Sequence, residues 1–337
     1  AELAVVEQAI KMGQLQWHAG PMNMQSEVVE PSLFDYGLSI AHSLDDRFGF
    51  PHKTTLSQKD VPGATRAIVN HLTAAGVSAM HVGVNDFTVP PAVPYQSPVN
   101  YEVVQPFLWE DPYTQNSVIC YWSSGYSRSP WGVSPELIVQ VPGASDVLVF
   151  LMNVDNTGPQ TVGQVIRGWS NVQAMFPNAT LRASSLDAYT ATVAPLKGSL
   201  ALPMRLDRLP VVNQEMGTAG GLVRLLGDVW VYGVASDPAK VRAYRQIAKM
   251  RAEALASGEI SISDPRVQQF SWQLLKVPEH TWGFNEGNLN GVGEQWSNAN
   301  FDTLYAAPAT QMNLQSFQDQ RAYIDAALYS LGELPVR

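Results

Sequence analysis

Three polar residues stand where apolar, strand-like runs give way to turns. Their types are those of acid–base, nucleophilic and metal-assisted chemistry. Asp60 follows a run ending near Ser57 and precedes a helical pattern. Asp155 follows the apolar run 146–152. His280 follows Leu274-Leu275-Lys276-Val277-Pro278. In folds of alternating strands and helices the working face lies where strands end and loops begin. Each residue also has a structural reading. An Asp before a helix usually caps it, an Asp in Asp-Asn-Thr-Gly usually makes a turn, and a single His usually packs. Position alone leaves both readings open for all three.

The elements that must position these residues alternate. Residues 1–13 read as an amphipathic helix already under way, with Leu3, Val6 and Ile10 at helical spacing and Gly13 as its stop. Strands are expected at 14–19, 53–57, 78–84, 117–122, 146–152 and 179–183. Helices are expected at 32–48, 61–75 and 160–176, and from Leu186 onward. Pro62 in the first turn and Gly76 at the end suit the helix at 61–75. The stretch 85–142 is rich in Pro, Ser and Tyr and otherwise reads as long loops. Helical patterns then dominate at 238–256, 264–275 and 314–331. Strand–helix alternation implies parallel βαβ units. The expectation is an α/β barrel or doubly wound sheet over 1–235, followed by a helical domain over 236–337.

Bulk properties exclude several classes. A chain of 337 residues accommodates one large domain and a smaller one. With 45% hydrophobic and 15% charged residues it is neither a disordered chain nor a coiled coil. No apolar run approaches the roughly 20 residues that span a bilayer, so no membrane partner is expected. The net charge is −9 with no block of Lys and Arg, which argues against nucleic acid. The one cysteine, Cys120, permits no internal disulfide and no multi-cysteine zinc site, and reads as a buried, inert thiol. There is no Gly-rich phosphate loop. Asn178-Ala179-Thr180 is a glycosylation sequon that matters only in a secreted chain. The opening lacks the marks of a signal peptide, and a start inside a helix implies material upstream.

A series of short motifs resembles glycoside hydrolase family 38, the class II α-mannosidases, and within it a branch filed as domain of unknown function 5054. Gly13-Gln14-Leu15-Gln16-Trp17-His18-Ala19-Gly20-Pro21-Met22-Asn23 is similar to the family's "GQLE…GGW-M-N" strand, with Glu27 near the acidic pair that follows there. Phe48-Gly49-Phe50-Pro51-His52-Lys53, then Lys59-Asp60-Val61-Pro62-Gly63-Ala64-Thr65, is similar to "G-x-x-P…D-P-F-G-H-S". Ala75-Gly76-Val77-Ser78-Ala79-Met80-His81-Val82 resembles "A-G-[IV]-x-x-M-H-I". Val149-Phe150-Leu151-Met152-Asn153-Val154-Asp155 resembles the strand ending in "G-D-D", and Gly227-Asp228-Val229-Trp230-Val231-Tyr232 the "G-D-F…Y" step. Pro278-Glu279-His280-Thr281-Trp282-Gly283 falls where the family places a metal-binding His.

The resemblance implies a (β/α)7-type barrel, here lacking its first strand, followed by an α-helical bundle segment. It implies a carbohydrate partner and a divalent metal, normally zinc, holding the sugar's hydroxyls. Asp60 maps to the nucleophile, which is also a metal ligand; Asp155 maps to the acid/base and His280 to the metal His. A retaining glycosidase needs two carboxyls about 5 Å apart, the acid with a raised pKa and the nucleophile with a lowered one. A metal beside Asp60 would keep it ionised and would help to orient the sugar.

Two departures stand out. The family's His-x-Asp ligand pair occurs nowhere in the sequence, and Ala64 replaces the His of "F-G-H-S". A catalytic zinc normally has three protein ligands, so the chain as given is expected to bind zinc poorly and to show little activity by itself. His18 and Glu27 are the next ligand candidates. The expected function is a retaining glycosidase on α-mannose-like sugars. The alternative is a non-catalytic carbohydrate-binding or scaffold protein on the same barrel. A metal-dependent deacetylase fits less well, for want of its H-x-x-x-H pair.

Overall fold

The structure, a computed structural model, describes residues 2–61, 64–83, 106–111, 113–123, 138–141, 143–153, 158–197, 237–281 and 297–332. The chain divides into two compact units, Ala1–Glu27 with Leu38–Val229, and Val28–Gly37 with Trp230–Arg337.

In the first unit, α1 (Glu2–Lys11) buries none of its residues. The strand expected at 14–19 does not form. Gly13 takes φ +71°, and the amides of Gln14 and Leu15 turn back onto the Ala9 carbonyl at 2.9 and 3.3 Å. The chain then runs extended, tied to its neighbour where the Ala19 amide donates to Thr55 O at 2.9 Å. Helix α2 (Pro31–Phe48) is divided between the units, its residues up to Gly37 belonging to the second, and it starts where Glu30 accepts from the amides of Ser32 and Leu33, both at 3.0 Å. Gly49, at φ +72°, follows its end.

The main sheet has the order β1-β2-β4-β3, built from β1 (Thr55–Lys59), β2 (Ala79–Gly83), β3 (Phe107–Glu110) and β4 (Ser117–Ser123). β1, β2 and β4 are parallel, and β3 pairs antiparallel with β4. Every residue of β2 is buried, as a central parallel strand requires. Helix α3 (Ile68–Ala74) links β1 to β2 and buries Ile68, Val69 and Leu72. The expected helix start at Val61 is too early: Val61, Ala64 and Thr65 are not helical. Strand β3 lies in the stretch rich in Pro, Ser and Tyr that is expected to be loop.

The expected buried strand at 146–152 shrinks to β6 (Val147–Val149), none of it fully buried, in an antiparallel pair with β5 (Ile138–Gln140). A tight turn joins the two, with Gly143 at φ +89° and the Ala144 amide on Val141 O at 3.0 Å. Helix α4 (Val162–Met175) begins at a Thr161/Gln164 capping box. The strand expected at 179–183 is irregular chain leading to Ser185, the cap of α5 (Leu186–Val193). Ile119, Tyr121, Val139, Val141, Tyr189 and Val193 form a shared core. Among the described residues the architecture is therefore mixed α/β with two small sheets. Among the described residues the expected closed barrel does not form.

The second unit is helical where described: α6 (Pro238–Ser257), α7 (Pro265–Leu275), α8 (Phe301–Tyr305) and α9 (Pro308–Leu331). Asp237 and Asp264 cap α6 and α7, each followed by Pro. Helix α9 starts earlier than expected, with Pro308 in its first turn. Within this unit the buried Arg251 donates to Ser32 Oγ and Ser271 Oγ, both at 2.8 Å. Asp237, 0% exposed, accepts the Lys240 amide at 3.2 Å and a bidentate pair from Arg321, whose Nη2 is 2.7 Å away. Removing a buried carboxylate that both caps a helix and pairs a guanidinium is costly. Asp237→Ala should lower the stability of this unit by about 2 kcal/mol, the scale of a lost cap and charged hydrogen bond, read as a shift in the urea midpoint followed by helical circular dichroism.

Candidate functional site

Asp60 is the first residue beyond β1. It sits at φ +63°, a left-handed conformation that Asp and Asn tolerate better than most residues. Its amide donates to Gly83 O at 2.8 Å and extends the β1–β2 ladder by one rung. It does not cap the following helix. α3 begins at Ile68, and its N-cap position is Ala67, with no side-chain cap bond. Asp60 thus sits at the carboxyl end of a parallel strand, and α3 takes no cap from it.

Alternation along the strands puts Ser57 and Lys59 of β1 on one face with His81 of β2. Ser57 Oγ lies 3.0 Å from His81 Nδ1. The Lys59 amide donates to Asn23 Oδ1 at 2.9 Å, and its ammonium to Met152 Sδ at 2.8 Å. The Phe150 ring covers His81 with centroids 4.4 Å apart. The Gly20 amide donates to His18 Nδ1 at 3.0 Å. Burial pushes His81 down to about 3, and the neighbouring Lys59 ammonium adds to that. Burial and Lys59 together push His18 down to about 4, against an upward pull from Asp187. Burial also lowers Lys59. Both imidazoles are therefore neutral near pH 7. His81 Nε2, Gln58 Nε2 and both amide atoms of Gln25 are buried without a hydrogen-bond partner.

The other candidates fall elsewhere. Asp155 lies outside the described residues; Met152, three positions before it in sequence, touches Lys59. His280 is in the second unit, beyond α7, with Nδ1 2.5 Å from Glu279 Oε1. Burial alone would raise Glu279, but bonds from His280 and Thr281 hold it below the usual range. Asp60 and His280 thus belong to different units. Of the reserve candidates, His18 is half-buried at the polar cluster, while Glu27 Oε2 accepts from Ser26 Oγ at 3.3 Å. Among the described residues no three of His, Cys, Asp and Glu come together to hold a metal. That donor set does not fit a zinc centre.

Sequence reasoning missed Lys59 and His81 as site residues. The available signal was a polar residue inside a strand otherwise apolar enough to be central. A cleft of about 320 Å³, lined by Trp17, Phe50, Lys53, Thr54 and Asp187 among others, lies by the start of β1, the end opposite Asp60. In parallel sheets chemistry gathers at the carboxyl ends, so the Asp60 end is the better candidate.

A family model described as "Domain of unknown function (DUF5054)" matches residues 234–335. No curated protein matches the chain. Among solved structures, an alpha-mannosidase from Enterococcus faecalis V583 aligns at a TM-score of 0.54 and 13% identity, over 97% of this chain and 35% of that one. The fold resembles part of an alpha-mannosidase. A protein in the glycosyl hydrolase family 38 from Enterococcus faecalis aligns at a TM-score of 0.35 and 13% identity, over 95% of this chain and 32% of that one. The chain spans about a third of the length of these structures.

The two neutral histidines make stability depend on pH. Unfolded, each titrates near 6.5; folded, they titrate near 4 and 3. Their contribution is full above about 6.5 and is lost progressively as pH falls toward 3. Thermal melts from pH 7.5 to 4 should show stability falling below about 6.5. His81→Gln should make that fall visibly shallower. An unchanged slope would show that His81 is not held neutral by the fold.

Proposed function

We propose that this chain is the barrel-type part, with its following helical segment, of a retaining glycoside hydrolase acting on α-mannose-like sugars. The observation that carries the reading is Asp60, the first residue beyond β1, held in a left-handed turn at the carboxyl end of that strand with its amide on Gly83 O. In this reading Asp60 attacks the anomeric carbon, and Asp155 protonates the leaving oxygen and then activates water. Support for Asp155 comes from the approach to it, since Met152 packs on the residue preceding Asp60. The likeness in fold to an alpha-mannosidase supports the sugar class. A closed seven-stranded barrel, wider than the described sheet, belongs to the same reading.

The expected kinetics separate the two carboxylates. Asp60→Asn in the intact protein should lower turnover of aryl α-mannosides by several orders of magnitude with the fold unchanged. Asp155→Ala should slow glycosides with poor leaving groups far more than activated aryl glycosides, which need little protonation. Wild-type turnover in the first variant would sink the nucleophile assignment. Equal losses on both substrate types in the second would make Asp155 a turn residue. Sugar binding with no turnover in the intact wild type would instead favour a non-catalytic binding protein.

Zinc is the metal that the resemblance implies, but its two mapped ligands, Asp60 and His280, fall in different units, and no ligand set gathers among the described residues. Calorimetric titration into this chain alone should show weak binding, because two ligands are one short of the usual three. Tight stoichiometric binding would put other side chains in the ligand set, His18 and Glu27 first.

A further inference from the structure

Lysines with little exposure or visible partners are given oxygen acceptors elsewhere among the described residues. Lys53 has Asp45 Oδ1 at 2.8 Å, Lys197 has Ser117 O at 2.7 Å, and Lys276 has Gln273 Oε1 at 2.9 Å. Lys240 bonds the Gln320 side-chain oxygen. Lys59 differs. Among the described residues its ammonium meets the Met152 thioether and makes no ion pair. An ammonium carries three donors and a thioether is a weak acceptor. A charge drawn out of water without a counter-charge is unfavourable until something supplies one.

The surroundings are polar and fixed in place. The Lys59 backbone is pinned by Asn23 Oδ1 and by the ladder opposite Gly83, so the side chain leaves a rigid strand end beside Asp60. His18 accepts from Gly20 on Nδ1, so its neutral ring carries the proton on Nε2, a donor position. His81, fully buried, has an Nε2 that no group meets. A ligand group with several lone pairs and a negative charge matches this set, because charge-assisted bonds are the strong ones.

We propose that Lys59 is an anion-recognising group at the mouth of the parallel sheet, and that the ligand is a sugar carrying a carboxylate, sulfate or phosphate. The sugar half rests on the function proposed above; the anion half rests on Lys59 alone.

Isothermal titration of the chain with D-mannuronate, D-mannose and inorganic phosphate tests both halves. Mannuronate should bind roughly tenfold more tightly than mannose, the scale of one hydrogen bond to a charged group. Lys59→Met should erase that difference while circular dichroism stays unchanged, and Lys59→Arg should keep most of it. Phosphate that competes with mannuronate supports recognition of the anion itself; phosphate bound without competition overturns it. Equal binding of the two sugars by wild type, a preference that persists in Lys59→Met, or no binding of any probe also overturns it. Should Lys59→Met unfold, loss of the preference in folded Lys59→Arg decides against a point-charge contact. Hydrolysis of neutral mannosides with no anion preference sinks this inference and leaves the glycosidase standing. An anion preference without hydrolysis by the intact protein does the reverse.

Discussion

A parallel ladder delivers the carboxyl ends of its strands to a single edge, and the candidate site depends on that constraint. The pairing of β1 with β2 and of β2 with β4 fixes Ser57 opposite His81 and His81 opposite Tyr121. Shifting any strand by one residue would turn His81 and Lys59 to the other face. The polar row persists because its neighbours are set by the backbone: Ser57 beside His81, Asn23 on the Lys59 amide, Gly83 on Asp60. Burial then neutralises the imidazoles and leaves the ammonium as the cluster's one cation among the described residues.

What the sequence shows well are elements whose own residues state their limits. α6 and α7 open with Asp-Pro, and α6 closes at Gly258 in a left-handed cap, so their bounds follow from capping chemistry. α2 carries a helical apolar stripe and a glycine stop. β2 and β4 are apolar runs of strand length. Each of these signals is local, and each survives folding because tertiary packing reinforces it.

What the sequence hides depends on partners. β3 is visible as a strand only when β4 is beside it. The run at 146–152 has the composition of a buried parallel strand, yet the turn at Gly143 folds part of it back on β5 instead. The stretch 14–19 alternates suitably, but Gly13 curls the chain toward Ala9 before a ladder can form. At the site, Asp60 was legible as a strand-end carboxylate, whereas Lys59 and His81 were not. Their significance lies in what surrounds them: a thioether in place of a carboxylate, and a ring nitrogen with nothing to meet.

Cys120 lies at the middle of β4, fully buried between β2 and the antiparallel β3, and burial pushes its thiol far up. Thiolate, not thiol, reacts with alkylating reagents, so in the closed sheet this sulfur is protected twice, by access and by protonation. It is also the chain's one cysteine. Its labelling rate therefore reports how often β4 parts from its neighbours, a clock for opening of the very strands that hold the polar row in register.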